Sequence, residues 1–224
     1  MDELRIGPVD GADLRELATV MVEAFADEGI HRYVLDFSRG RVRHALLRPF
    51  LIELESMAAD GDTILAASVE GRIVGGAMLT RRRRRPLRRS IVESLRWLRA
   101  VVPLLPVVRW RRVFLLHRAS RLSRPIVGSY FVLPALVVHP AFQGHGIGRK
   151  LLQTVHDCVA KEREVPGIYL YTGERKNQLM YEKAGYRTIE VREAGALNVY
   201  HMFRTNGGQF TTADGDESAH PSVR

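Results

Sequence analysis

The chain has 224 residues, 46% of them apolar, which suits one packed domain or one domain with a sizeable insertion and is too apolar for a disordered chain. A single cysteine, Cys158, excludes an intramolecular disulfide and fits a reducing compartment. The net charge of +9 is uneven: residues 81–124 hold 15 arginines against one acid, Glu93, so that segment carries +14 and the remainder −5. Any acidic partner must therefore be argued from that segment alone.

In chain order, Leu4–Val9 reads as a short strand. Asp10 and Asp13, three residues apart, resemble a capping box before a helix with Leu14, Leu17, Val20, Met21 and Phe25 on one face. Residues 26–38 read as a loop and 39–59 as a second helix. TILAASV and RIVGGAMLT flank Glu70-Gly71 as a hairpin. In the basic segment, Ile91, Leu95, Leu98 and Val102 share a helical face, Pro103 and Pro106 break it, and another helix runs from Val107 to Leu122. Ser129–His139 is a near-continuous apolar run, as in a strand buried on both faces. Pro134 inside it removes a ladder donor and predicts a bulge or a splayed strand. A helix follows from Gly144 to Glu164, then the strand IYLYT, a short helix NQLMYEKA, and a hairpin of YRTIEVRE and LNVYHMFR. Residues 205–224 are rich in Gly, Ser, Thr and Asp and read as a disordered tail.

Glycines at a strand-to-helix junction commonly hold phosphate, and QGHGIG, Gln143–Gly148, sits at one. The dinucleotide fingerprint needs glycine at 149, where this chain has Arg149. The triphosphate loop needs a hydroxyl after its lysine, and Lys150 is followed by Leu151. What is left is a loop whose glycines let backbone N–H groups approach a pyrophosphate, with Arg149 and Lys150 adding charge; the plain alternative is an ordinary turn.

Two motifs narrow this. Val138–Leu152 reads V-x-P-x-x-Q-G-x-G-I-G-x-x-L-L, and Asn177–Tyr186 reads N-x-x-x-Y-E-K-x-G-Y. Together with the order of elements, they resemble the GNAT acyltransferase superfamily. The resemblance implies an α/β fold with a mixed central sheet, helices on both faces and a helical insertion before the fourth strand. It implies one acetyltransferase domain over 1–204, with 81–126 as the basic insertion and 205–224 as the tail. A narrower resemblance, to the puromycin N-acetyltransferase-like branch, rests on AFADEGIHRYVLD, on the insertion and on the L-x-T-x-x-x-x-N-x-x-x-Y layout. That branch often carries Glu where this chain has Tyr171, so its acceptor site does not carry over directly.

The resemblance implies acetyl-CoA as donor and a small-molecule primary amine as acceptor, with a protein or peptide amine as the alternative. The pantetheine arm would add like a strand between Ala135–Val138 and Tyr169–Thr172, pairing with Leu136, Val137 and Val138. The pyrophosphate would sit on Gln143, Gly144, His145, Gly146, Ile147, Gly148 and Arg149. Tyr181 would protonate the leaving thiolate, since a phenol is protonated at neutral pH. Asn177 would orient the cofactor or cap the helix. The base that takes the amine proton is open among Asp27, Glu28, His31, His139, Glu174 and a water chain.

The eight histidines show no metal spacing, and no metal is expected. Cys158 reads as a small apolar residue. RRRRRPLRR, Arg81–Arg89, has few interleaved aromatics, which speaks against a nucleic-acid partner. Arginine-rich amphipathic helices carrying Trp, Leu and Val fit a peripheral contact of 81–124 with an anionic membrane better. The plainer reading packs them over the acceptor site with arginines in solvent. A non-catalytic acyl-CoA-binding module docking on membrane or RNA is the reading from another class. The N-terminal residues lack the apolar core of a signal peptide, and AVVPLLPVV, Ala100–Val108, is far short of the ~20 residues of a membrane span. The expected location is the cytoplasm, with peripheral membrane association as an addition.

Overall fold

The computed structural model describes residues 3–9, 11–38, 42–81, 95–162 and 164–206. Seven strands form one sheet: β1 (Arg5–Pro8), β2 (Thr63–Val69), β3 (Arg72–Arg81), β4 (Phe131–Val138), β5 (Gly167–Thr172), β6 (Arg187–Ala194) and β7 (Leu197–Thr205). Their order is β1-β2-β3-β4-β5-β7-β6, and β4 with β5 is the parallel pair among antiparallel neighbours. The helices are α1 (Leu14–Ala26), α2 (Gly29–Val34), α3 (Val42–Ala59), α4 (95–101), α5 (Trp110–Ala119), α6 (Ile147–Ala160) and α7 (Arg175–Lys183).

The apolar periodicities place these helices on both faces of the sheet. Leu14, Leu17 and Met21 of α1 and Leu46, Phe50 and Leu54 of α3 pack on one face, with Met78 and Val137 beneath them. Leu151, Leu152 and Val155 of α6 and Tyr181 of α7 pack on the other, over Ile168, Leu170 and Met202. A fully buried leucine such as Leu17 or Leu151 stabilises the fold by roughly 2–3 kcal/mol through removal of apolar surface from water.

Pro134 behaves as its chemistry requires. The β3–β4 register passes from Thr80↔Val132 to Met78↔Ala135, so Leu133 and Pro134 together face one residue of β3. Such a bulge reverses the alternation of the strand. Leu133 packs with α6, as do Leu136 and Val138 beyond the bulge, while Ala135 and Val137 now face α1. Pro134 itself is exposed.

Several boundaries differ from the sequence-based expectation. Residues 26–38 hold a helix, α2, because the Glu28 carboxylate accepts from the His31 N–H and caps it. Helix α1 begins at Leu14 with Asp13 as its N-cap residue, whose side chain makes no capping hydrogen bond; Asp10 lies outside the described residues. Helix α6 starts at Ile147 instead of Gly144, since Gly144 and Gly146 both take left-handed backbone. The second insertion helix covers Trp110–Ala119. At the other end of the fold, the Asn206 amide donates to the carbonyls of Val159 and Glu162. Most of the arginine run (82–94) and the rest of the expected tail (207–224) lie outside the described residues.

The insertion is tied to the sheet by a buried histidine. His201 of β7 lies 2.7 Å through Nε2 from the Ala119 carbonyl at the end of α5 and 2.6 Å through Nδ1 from the Tyr169 hydroxyl. The carbonyl can only accept, so Nε2 donates to it and the neutral ring accepts at Nδ1. Burial lowers the His201 pKa and keeps the ring neutral. The buried His156 of α6, 3.3 Å from the Tyr186 hydroxyl, is likewise pushed down to about 4 by burial and by nearby Arg204.

Candidate active site

Among the described residues, β4 and β5 pair only at Phe131↔Ile168 and Val132↔Tyr169. Beyond these the two strands part. Leu136, Val137 and Val138 pair with Ala77, Gly76 and Gly75 of β3, and Leu170–Thr172 pair with β7. Each therefore turns a ladder-free edge toward the gap. This is the place where an extended amide-bearing chain can add as a strand. The bulge at Pro134 sits where the parting begins.

The glycine loop closes the end of β4. The Gln143 amide donates to the Val138 carbonyl at 3.1 Å, so its side chain fastens the loop to the strand. The His145 ring lies against the loop's own backbone, 3.0 Å from the Gln143 carbonyl oxygen. Gly144 and Gly146 have φ of 82° and 77°, and a Cβ on either would meet no neighbour within 4 Å. Helix α6 begins after Gly146 with no side-chain cap, and its ladder starts at Lys150 N–H to Gly146 carbonyl. The N–H groups of Ile147, Gly148 and Arg149 precede that first bond, at the positive end of a 14-residue helix. The Ile147 side chain is buried under the sheet, so only its backbone faces the loop. These features fit a pyrophosphate: uncapped N–H groups, a cradle without Cβ atoms, and the exposed charges of Arg149 and Lys150.

Tyr181 lies on α7, 8% exposed, edge-on to Tyr186. Burial raises its pKa well above the usual phenol value, and the Glu28 carboxylate adds to the shift. The hydroxyl is thus a donor throughout the physiological range. Tyr181 belongs to the helix layer on one face, whereas Glu28 follows α1 on the other. Tyr171 of β5 keeps 43% of its surface exposed, and the protein around the rest of it raises its pKa by desolvation first, with Glu28 and then Glu53 adding. Asn177 sits inside α7; the N-cap residue is Glu174, so the expected capping role for Asn177 is corrected.

The candidate bases separate clearly. Glu174 accepts from the Gly29 N–H at 2.7 Å and pairs with Lys176 at 2.9 Å, so it anchors α2 to the start of α7. Ile30 beside it packs so closely on Gly173 that a Cβ there would lie 2.5 Å from its side chain. His139 accepts from the Ala141 N–H and holds the turn after β4. Asp27 is exposed at the end of α1. Glu28 and His31 form a dyad: His31 Nδ1 lies 2.9 Å from Glu28 Oε2, and the ring stacks on Phe25 at 4.3 Å. The carboxylate engages Nδ1 and leaves Nε2 as the other ring nitrogen. Both groups are half-buried at the end of β5. The signal for this pair was present in Glu28-Gly-Ile-His31, a cap residue with an imidazole three positions on, but it is hidden once 26–38 is read as loop.

Residues 119–188 match the model of the acetyltransferase (GNAT) domain, a stretch that holds both the glycine loop and Tyr181. Over that segment the chain is similar to the GNAT acetyltransferases. Solved structures of this fold span its full length. One is described as a histone acetyltransferase HPA2 and related acetyltransferase from Corynebacterium glutamicum, with 20% identity, TM-score 0.61 and all of both chains covered. Another is the PaiA N-acetyltransferase of Thermoplasma acidophilum in complex with coenzyme A, with 14% identity, TM-score 0.56, 91% of this chain and 99% of that one. A third is a ribosomal-protein-alanine N-acetyltransferase from Brucella melitensis, with 18% identity, TM-score 0.52, 90% of this chain and 99% of that one. At these identities the neighbours speak for the fold. No curated protein matches the chain in sequence. The matched domain model is one of acetyltransferases, and one neighbour of the fold holds coenzyme A. Among the described residues no cluster of metal-ligating side chains occurs, and no helix is long and apolar enough to cross a membrane.

Proposed function

We propose that the protein acetylates the primary amine of a small molecule. The observation that carries this reading is the parting of β4 and β5 toward their C-terminal ends, with the glycine loop following β4 and the Glu28–His31 dyad lying against the end of β5. Carboxylates of Glu28 and Glu53 near Tyr171 favour a cationic acceptor. Helices α2 and α5 wall this side: Arg112 of α5 donates to the Tyr33 carbonyl and lies over its ring. Acidic side chains on this side favour a compact cationic amine over an extended polypeptide.

In the proposed chemistry acetyl-CoA supplies a thioester carbonyl for attack by the amine and leaves as a thiol. The edge of Leu136, Val137 and Val138 would pair with its amide-bearing arm. The backbone from Gln143 to Arg149 would bind its pyrophosphate, and Asn177 would orient it. An amine of ordinary pKa, ~10.4, arrives protonated, so a base must free its lone pair. His31 takes that proton at Nε2 and returns it to solvent; Glu28 positions the ring through Nδ1. As the C–S bond breaks, Tyr181 gives its O–H proton to the leaving sulfur, and the proton that the attacking nitrogen sheds on becoming an amide restores the phenol.

The direct test is thiol release from acetyl-CoA with a panel of puromycin, polyamines, aminoglycosides, lysine peptides and free N-terminal peptides. Turnover with one small-amine class is the expected result. Turnover with peptides alone would replace the acceptor class. Binding of acetyl-CoA with no turnover on any member would favour a non-catalytic module. The pyrophosphate assignment has its own check. Gly146→Val places a β-branched residue at φ 77°, a strain of roughly 1–3 kcal/mol confined to the loop. Calorimetry should show acetyl-CoA affinity at least ten-fold weaker while the thermal transition survives; unchanged affinity would refute the assignment.

A further inference from the structure

Of the twelve large apolar side chains exposed among the described residues, nine lie between Leu95 and Val127. Trp97 is 49% exposed on α4, and Trp110 and Phe114 are 59% and 60% exposed, one turn apart on α5. The inner face of α5 is occupied: Leu116 and Ala119 pack against Ala194 and Val199. Its outer face therefore combines aromatic rings with Arg111 and Arg118, and the Arg118 guanidinium lies 6.0 Å from the centre of the Phe114 ring. Helix α4 is similar, with Leu95, Arg96, Trp97, Leu98 and Arg99 exposed in succession and Ala100 buried. Residues 95–124 contain eight arginines and no acid. All eight are exposed residues.

We propose that the outer face of α4 and α5 docks on an anionic phospholipid surface. The surface area exposed by these rings is costly in water and marks an interaction site. Three occupants compete. A second copy meeting this face across a two-fold axis would bring the same arginines against each other, with Glu55, already paired to Arg96, as the acid at its edge. A nucleic acid would answer the arginines, but would leave Leu95, Leu98, Val102 and Leu105 facing a hydrated phosphate backbone. An anionic bilayer answers both halves at once: acyl chains and the glycerol region take Trp, Phe and Leu, and headgroup phosphates take the guanidinium groups. An open groove between α3 and α4 repeats the pairing on a smaller scale. Arg48 and Arg99 line it, with Arg96 paired to Glu55 at 2.8 Å, over an apolar floor of Leu51, Ile52 and Val102. This surface is independent of the acyl-transfer site, and its test does not read turnover.

The protein carries its own reporter, because Trp97 and Trp110 are its only tryptophans. The full chain is titrated with vesicles of phosphatidylserine and phosphatidylcholine, with vesicles of phosphatidylcholine alone, and with single-stranded RNA. Tryptophan emission, acrylamide quenching, co-sedimentation and solution mass are read together. With anionic vesicles the emission should shift to the blue, quenching should fall, and both changes should reverse in high salt. Each arginine near the surface contributes about five-fold to partitioning, so Arg99→Gln, Arg111→Gln and Arg118→Gln combined should weaken it on the order of 100-fold. Trp110→Ser with Phe114→Ser should abolish the salt-resistant part of binding. These positions are exposed, so the fold is retained. No response to anionic vesicles would overturn the proposal, as would an equal response to neutral ones. Emission that is already blue and protected in a dimer would assign the face to a second copy, and a response to RNA alone would assign it to nucleic acid.

Discussion

Replacing Tyr181 by Phe is expected to lower kcat by about 100-fold or more while leaving acetyl-CoA affinity within a few-fold. The ring packs edge-on against Tyr186 and against the α6 layer, and Phe keeps that packing, so the fold stays intact. What is lost is one hydroxyl that burial and Glu28 hold in its protonated form. A donor of that kind matters while charge gathers on the leaving sulfur and much less in the ground state, so the loss belongs in kcat. Pre-steady-state measurement of the chemical step together with calorimetric acetyl-CoA affinity separates the two. An equal fall in turnover and in cofactor affinity would remove Tyr181 from the acid role and make it a packing residue.

His31→Gln is expected to cost 10²–10⁴ in kcat, the usual range for a general base. The pH dependence distinguishes chemistry from packing. A base that acts only when unprotonated makes kcat/KM rise with pH, and that rising limb should vanish in the variant. Added imidazole should restore part of the rate. Glu28→Gln preserves an acceptor for the His31 N–H that starts α2 but removes the charge beside Nδ1, so it should lower kcat by less than His31→Gln does. A raised KM with kcat and the rising limb unchanged would make the dyad an acceptor-binding feature.

The sheet, the two helix layers and the glycine loop are legible in the sequence because each rests on local chemistry. Alternating or continuous apolar runs give strands, Pro134 gives the bulge, and Gly144 and Gly146 give the stop before α6. The family motifs place the loop and Tyr181 in one fold, and the match over 119–188 covers both. The acceptor side is less legible, since it is assembled from distant segments. Nothing local says that Gly29 will meet Glu174, 145 residues away, or that Glu28 will be felt by Tyr181. The His201 bridge between Tyr169 and Ala119 is equally invisible in β7, where its position reads as one more inward strand residue. Asn177 lies inside α7 and not at its cap, because α7 begins two residues earlier than its apolar pattern suggests.

The two residue pairs that join β4 to β5 divide the sheet into a four-stranded and a three-stranded half. Opening of the molecule along this seam breaks few backbone bonds, so local breathing should concentrate there rather than at the outer strands. In the proposed mode a donor lying between the halves would act as a rib that stitches them, and its binding free energy would also be cohesion of the fold. Evolution cannot harden this seam by adding strand pairs without sealing the place where the donor lies. In the proposed mode the sparsest line of strand pairing and the acyl transfer would share one place, and any gain in rigidity would come from α6, from the His201 tie or from the helix layers instead.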